Sequence, residues 1–504
     1  MSVRFSCAIL RAGHGRWRPG VYAGFPRADD ALDEFRCFAV PRFNLPAFRS
    51  ALVVALLSGG SLLASGAVAQ DLTTALSNAY MLNPDLNAAR ANTRGVDETV
   101  PTAKSAGRPK VTATTDFGRT WFDTRQPGKL ANTNGGLYPS GAGVTVNQTL
   151  YNGGRTENGI RQAESNVAGA RETLRNTEQN TLLDGVTAYM NVVRDTAIFN
   201  LRQNNVTVLN EQVRQTQDRF NVGEVTRTDV AQAQAALAGA KSDVALAQSN
   251  LRASIATFKQ RIGVEPKKLS PVQPLSPKRL PKSQGDAVQR GLQDHPAIAA
   301  ALHGVDSQLL QVRVVEGELY PTVSLSASAT RRFDTTIRND TRLTGTVVGQ
   351  VSIPLYDGGS AFSRTRGAKE TLGEKRLQVD SARDRVVQAV IASWALLEAT
   401  GFQIEGAAAQ VSSAEIALNG VKEEARVGQR TTLDVLNAQQ ALLNARVSQV
   451  SAQRDRVVAS YSVLASIGQL SARTLGLRVA TYDPKVHYEQ VKDSWLGLRT
   501  PSGE

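Results

Sequence analysis

Two halves of this chain repeat one another, and a duplication at this spacing restricts the fold to stacked or side-by-side copies of one unit. Leu150-Tyr151-Asn152-Gly153-Gly154 returns 205 residues on as Leu355-Tyr356-Asp357-Gly358-Gly359. Val222-Gly223 followed by Asp229-Val230 returns at the same offset as Val427-Gly428 followed by Asp434-Val435. Upstream, Asn83-Pro84 pairs with His295-Pro296 and Arg108-Pro109 with Tyr320-Pro321, now 212 residues apart. The landmarks keep their order, and the length difference falls between Pro109 and Leu150.

Each half has the same grammar. A helical stretch, 71–106 or 284–319, stops at Pro109 or Pro321, because the residue before proline avoids the helical region. Two strand-like runs follow. The clearest alternates Val323, Leu325, Ala327 and Ala329 with Ser324, Ser326, Ser328 and Thr330, which gives one apolar and one polar face. Its partner is 345–355, and the first-half strands are expected at roughly 110–122 and 141–151. The segments between them, 123–140 and 334–342, are polar and turn-rich.

Long helices come next. Proline is absent from Ser140 to Glu265 and from Leu355 to Asp483. Gly154 to Gly223 and Gly359 to Gly428 each cover 69 residues, enough for a rod on the order of 100 Å. After each Val-Gly break a second helix returns. Val230, Leu237, Val244, Leu251 and Phe258 recur every seventh residue, with Ala233, Ala240 and Ala247 three places later. Leu443, Val447, Val450, Val457, Tyr461 and Leu464 follow the matching 4-3 spacing. Such stripes form coiled-coil seams, and alanine lets helices approach closely. With aromatics at only 6%, thin helical layers suit this composition better than thick globular cores.

The pattern divides the chain into an extension and signal over 1–69, a first repeat over 71–263, a Pro-rich linker over 264–283, a second repeat over 284–472 and a tail over 473–504. Arg49, the apolar run Ala51–Leu57 and the triplet Ala67-Val68-Ala69 have the order of an export signal, cleaved before Gln70. Residues 1–46 match neither a signal nor a domain, and a misplaced start codon would account for them. Cys7 and Cys37 are the two cysteines, so cleavage would leave a chain without cysteine. No other run of about 20 apolar residues is present, so no transmembrane helix is expected. The tail carries no chemistry that assigns it a role.

A net charge of +13 invites a nucleic-acid reading. The charges instead alternate in sign, as in Arg383-Asp384-Arg385, and no basic cluster is interleaved with aromatics. Solvated helix faces account for them. His14, His295, His303 and His487 lack partners at metal-ligand spacing, and no nucleophile elbow or phosphate loop occurs. The expectation is a non-enzyme without cofactors. Four amphipathic strands cannot close a barrel alone, since small membrane barrels need about eight. Open edges do not survive in lipid, so the strands must pair between subunits, with Phe117, Trp121, Val323 and Leu325 toward lipid. An exported α+β membrane protein with hairpins in the membrane and long helices leading away from it is a conduit. A periplasmic adaptor, the competing possibility, would split one β-rich module around one helical hairpin. A coiled-coil adhesin would carry a single anchor.

The doubled L-Y-x-G-G, long helix and V-G-x5-D-V resemble the TolC family of outer-membrane channel-tunnel proteins. Arg219-Phe220-Asn221-Val222-Gly223 with Thr228-Asp229-Val230, and Val427-Gly428 with Arg430-Thr431 and Leu433-Asp434-Val435-Leu436, carry the likeness, which spans 71–472. It implies a homotrimer whose twelve strands form one outer-membrane barrel in lipid, with the helices forming a periplasmic tunnel. It also implies a periplasmic adaptor and an inner-membrane RND or ABC transporter as partners. Val222, Gly223, Val427 and Gly428 would form the adaptor-docking turns, and Thr228, Asp229, Arg430 and Asp434 the periplasmic gate. Capping is the simpler role for Thr228 or Asp229. Arg430 is expected to reach Thr228 or Asp229, within one subunit or between neighbours. Ala425 stands where the family has a gate tyrosine, and Asn437 where it has a second constriction acid, so the resemblance implies one acid per subunit in that ring.

Overall fold

Asparagine, proline and glycine set the helix boundaries in the computed structural model, which describes residues 70–124, 133–501 and 503. The first stretch, expected as one helix, is three: α1 (Leu72–Leu82), α2 (Pro84–Asp97) and α3 (Thr99–Ser105). The break follows from Asn83 and Pro84. The Asn83 side chain accepts from the N–H groups of Asp85 and Leu86, and proline suits the first helical position because that N–H has no helical partner. Strands β1 (Lys110–Phe117), β2 (Thr120–Thr124), β3 (Thr133–Leu137) and β4 (Ser140–Asn152) come next. The strand expected over 110–122 is thus interrupted. The Gly118 N–H bonds the Pro139 carbonyl at 2.8 Å, and Pro139 has no N–H to return, so β2 and β3 form a separate two-stranded ribbon.

Gly153 and Gly154, at φ +69° and +74°, turn the chain from β4 into α4 (Arg155–Asn221), and α5 (Arg227–Ile262) returns. The second half repeats this with α6 (Gln284–Asp294), α7 (Pro296–Glu316), β5 (Thr322–Phe333), β6 (Thr341–Ser352), α8 (Ser360–Arg426) and α9 (Thr432–Ser466). His295 occupies the place of Asn83, and its Nδ1 accepts from the Ala297 N–H at 3.1 Å. Helices α4 and α8 are 67 residues each, which at ~1.5 Å per residue is about 100 Å. The chain closes with α10 (Ala472–Leu475) and α11 (Pro484–Val491).

The main sheet is antiparallel throughout, in the order β1-β4-β5-β6. Residues paired directly across an antiparallel ladder share a face. The register therefore puts Val111, Ala113 and Phe117 with Val144 and Val146, with Val323, Leu325, Ala327 and Ala329, and with Val347 and Val351 on one face. Thr112, Thr114, Thr145, Asn147, Ser324, Ser326, Ser328, Thr344, Thr346 and Gln350 occupy the other. A bulge at Leu150 keeps Tyr151 on the apolar face, opposite Val323. β1 and β6 each leave one edge unpaired among the described residues.

Helix α7 lies between α4 and α8 on the sheet side, and α9 lies between the same two rods on the far side. The largest apolar cluster forms where their ends meet. There Leu76, Leu182, Val186, Tyr189, Phe258, Ile262, Val390, Leu464 and Ile467 are buried together, and α1, α6 and α10 cover them. The Tyr189 hydroxyl lies 2.8 Å from the carbonyl oxygens of both Gln70 and Ser270, and burial pushes its pKa up to about 12. Toward the far end the seams thin. Ala233, Ala240 and Ala247 are buried while Leu237 and Val244 are half-buried, because small residues at the seam bring the helix axes close. One stretch of α8 is apolar enough to cross a membrane by length and composition. Within α8, Val386 and Val390 join the central cluster, and Leu397 packs with Ala459 and Val463.

Candidate functional site

Both rods reverse at the end away from the sheet, and the two turns are built alike. Helix α4 stops at Asn221, Val222 caps it, and Gly223 takes φ +82°. Helix α8 stops at Arg426, Val427 caps it, and Gly428 takes φ +81°. A Cβ at either glycine would meet nothing within 4 Å. The left-handed backbone alone demands glycine there, and space does not. Val222 and Val427 are 72% and 67% exposed, so each turn offers an uncovered apolar side chain beside its glycine.

The return helices open with reciprocal caps. Thr226 Oγ1 accepts from the Asp229 N–H, and Asp229 Oδ2 accepts from the Thr226 N–H at 2.9 Å and from its hydroxyl at 2.7 Å. Thr431 and Asp434 repeat the box at 3.0 Å and 2.9 Å. Capping therefore falls to Thr226 with Asp229, while Thr228 is an exposed residue of the first turn of α5. Two hydrogen bonds from Thr226, with the nearby charge of Arg219, hold the Asp229 carboxyl below the ordinary 3.8. The Thr431 N–H and hydroxyl, with Arg430, do the same for Asp434. Both carboxylates are ionised at neutral pH and engaged in their own turns.

Within one chain Arg430 reaches neither Thr228 nor Asp229. Its Nε bonds Glu424 Oε2 at 2.8 Å, a residue the sequence reading passed over. A partner six residues away in the same turn closes a short loop at small entropic cost, whereas a partner on the other turn needs two rods in register. The first turn carries the reverse arrangement, with Arg219 on the helix and Glu224 in the turn, 2.9 Å apart. Glu424 stands where the first half has Arg219, and that charge inversion between repeats was the available signal. Ala425 is half-buried, and Asn437 is exposed.

At the other end of the chain's course, Ala67 and Ala69 lie outside the described residues. Gln70 is docked, donating its N–H to the Lys268 carbonyl at 2.8 Å and accepting from the Ser270 N–H at 3.2 Å. The tail, unassigned from sequence, runs along α2. The Tyr482 N–H bonds the Tyr80 hydroxyl at 2.9 Å, and His487 Nδ1 lies 3.0 Å from Asp97 Oδ2.

Comparison with known proteins places these parts. The family model described as outer membrane efflux protein matches residues 75–264 and 287–469. The outer membrane efflux protein BepC of Brucella suis is 42% identical over 451 residues, covering 89% of this chain and 96% of that protein. The outer membrane protein TolC of Escherichia coli is 26% identical, covering 83% and 86%. Among solved structures, the Campylobacter jejuni CmeC outer membrane channel superposes with a TM-score of 0.71 over 84% of this chain and 89% of that one, at 17% identity. Amphipathic strands, paired rods and two matched turns are thus the parts of an outer-membrane channel. The chain belongs to the TolC family of outer membrane efflux proteins.

Proposed function

We propose that this chain is the exit duct of a tripartite efflux pump or a type I secretion system. It would pass small molecules or unfolded proteins from an inner-membrane RND or ABC transporter to the outside. The observation that carries this is the four-stranded sheet with one apolar face and two edges unpaired among the described residues. Three copies supply twelve strands and leave no edge, which satisfies every backbone group in lipid. The rods then enclose a periplasmic tunnel, and the Val222-Gly223 and Val427-Gly428 turns meet a periplasmic adaptor. Thr228, Asp229, Arg430 and Asp434 sit around the tunnel mouth, where a contact from Arg430 to Asp229 or Thr228 of a neighbouring subunit would close it. Arginine suits such a bond because its planar fork meets a carboxylate twice.

The test is light scattering of the purified protein, followed by planar-bilayer conductance of the wild type, Arg430→Ser and Asp229→Ala. A trimer whose two variants open wider and more often is the expected result, with the double variant falling short of the summed effect. A stable monomer would remove the barrel and the tunnel together. Unchanged conductance in trimeric variants would place the gate elsewhere. Drug sensitivity of a deletion strain, set beside the proteins it fails to export, separates efflux from secretion.

A further inference from the structure

Within the tail lies Trp495-Leu496-Gly497-Leu498, and the three large apolar side chains of this run are 65%, 94% and 103% exposed. Such a cluster at a fixed place needs a cover. Its place is fixed by three contacts. Lys104 Nζ meets Asp493 Oδ1 at 2.6 Å, Arg108 donates to the Ser494 carbonyl at 2.6 Å, and the Arg108 guanidinium lies 4.4 Å from the Trp495 ring centre. Arg108 is two residues from the start of β1. The neighbouring Gly107 carbonyl accepts from Gln148 near the base of β4 at 2.6 Å. The tail is therefore pinned at the level where the strands meet the helices. Tyr151, Tyr320, Leu355 and Tyr356, also exposed, mark the same boundary in the sequence of the other strands.

We propose that Trp495, Leu496 and Leu498 form an interfacial anchor that inserts into the periplasmic leaflet of the outer membrane and seats the duct at fixed depth. The occupant is phospholipid. Through Arg108 the patch adjoins the base of β1, the helix-side end of the sheet whose apolar face the proposed barrel turns to lipid, and this is the height at which tryptophan and tyrosine gather at membrane surfaces. Exposed Lys110 opens β1 two residues after Arg108, and exposed Arg499 follows Leu498 in the chain; cationic side chains at this depth attract lipid phosphates. The clamp by Lys104 and Arg108 makes insertion inexpensive, because the backbone up to Trp495 is ordered before lipid arrives.

The experiment uses the full chain with Cys7 and Cys37 changed to serine, since these are its two cysteines. Single cysteines are placed by Leu496→Cys, by Val347→Cys on the apolar face of β6 and by Gln429→Cys in the far turn. Each is labelled with an environment-sensitive fluorophore and reconstituted in phosphatidylethanolamine–phosphatidylglycerol vesicles. Nitroxide lipid, spin-labelled near the top of its acyl chain, should quench the 496 label and shift its emission to the blue. Aqueous iodide should quench it several-fold less than the 429 label. Iodide quenching equal to that at 429, with the 347 label in lipid, would overturn the anchor while leaving the membrane sheet intact. Shielding from both quenchers would show that protein, a second copy or another chain, covers the tail, and would overturn it too. A 347 label outside lipid would instead count against the barrel on which the proposal rests.

Discussion

Replacing Asp97 with alanine tests what holds the tail against the helical layer. The Asp97 side chain is 0% exposed and joins three elements. One oxygen lies 3.0 Å from His487 Nδ1 in α11, and the other lies 3.9 Å from Arg171 Nη2 in α4. The second distance is an ion pair and not a hydrogen bond, and Asp97 Oδ1 and the Arg171 Nε and Nη2 atoms have no hydrogen-bond partner among the described residues. Removing one member of a buried pair costs about 3–5 kcal/mol, chiefly because the other charge is stranded. The Arg171 guanidinium also lies 4.8 Å from the Tyr488 ring centre, and Arg171 and His487 keep 21% and 13% side-chain exposure, so neither side chain is left wholly without contact and the lower end, about 3 kcal/mol, applies. That corresponds to a rise of roughly 100-fold in the detached fraction of the tail. Limited trypsinolysis of the folded protein at Lys485 and Lys492 reads this fraction, because cleavage tracks local opening when reclosing is fast. Asp97→Ala should be cut roughly 100-fold faster than the wild type, and Asp97→Asn, which retains an acceptor for His487, much less so. Equal rates for the wild type and Asp97→Ala would refute the argument and assign the hold to Tyr482, Tyr488 and Trp495.

Three further outcomes follow from single residues. Burial, with Arg175 nearby, lowers the His295 pKa from 6.5. The neutral ring that caps α7 therefore stabilises fully above pH 6.5, and the contribution fades as pH falls through the depressed value. The thermal midpoint should drop on acidification in that window, and His295→Asn, which caps without titrating, should flatten the drop; an unchanged pH profile in that variant contradicts the assignment. Phe258 is fully buried, with its ring centre 6.2 Å from that of Tyr189, so Phe258→Ala should cost about 3–5 kcal/mol, read as a lowered denaturation midpoint. At Gly153 a Cβ would fall 2.2 Å from the Gly317 carbonyl oxygen at φ +69°. Gly153→Ala should abolish assembly in native gels, while Gly223→Ala, strained in backbone but free of any clash, should assemble with a loosened turn.

The sequence alone determined the duplicated order of elements, the length of the two rods, the alternation of the strands and the glycine in each turn. These depend on local rules. A proline-free heptad run continues as helix, Ser alternating with Ala or Leu gives a two-faced strand, and a residue at positive φ favours glycine. The structure decided what depends on neighbours far along the chain. Asn83 and Pro84 were visible as a landmark, yet only the placed side chain shows them splitting one expected helix into α1 and α2. Gly118 and Pro139 break a strand that alternation alone carries through. Thr226, not Thr228, caps α5, because backbone geometry and not residue type chooses the cap. Arg430 takes Glu424 because a partner within the turn is reached at less entropic cost than one on another rod. The tail shows the limit most plainly. Its residues Tyr482, His487, Asp493 and Trp495 have no periodicity to read, and their partners Tyr80, Asp97, Lys104 and Arg108 stand about four hundred residues earlier. Local propensity carries no information about such pairs, and only packing of the helices they cross brings them together.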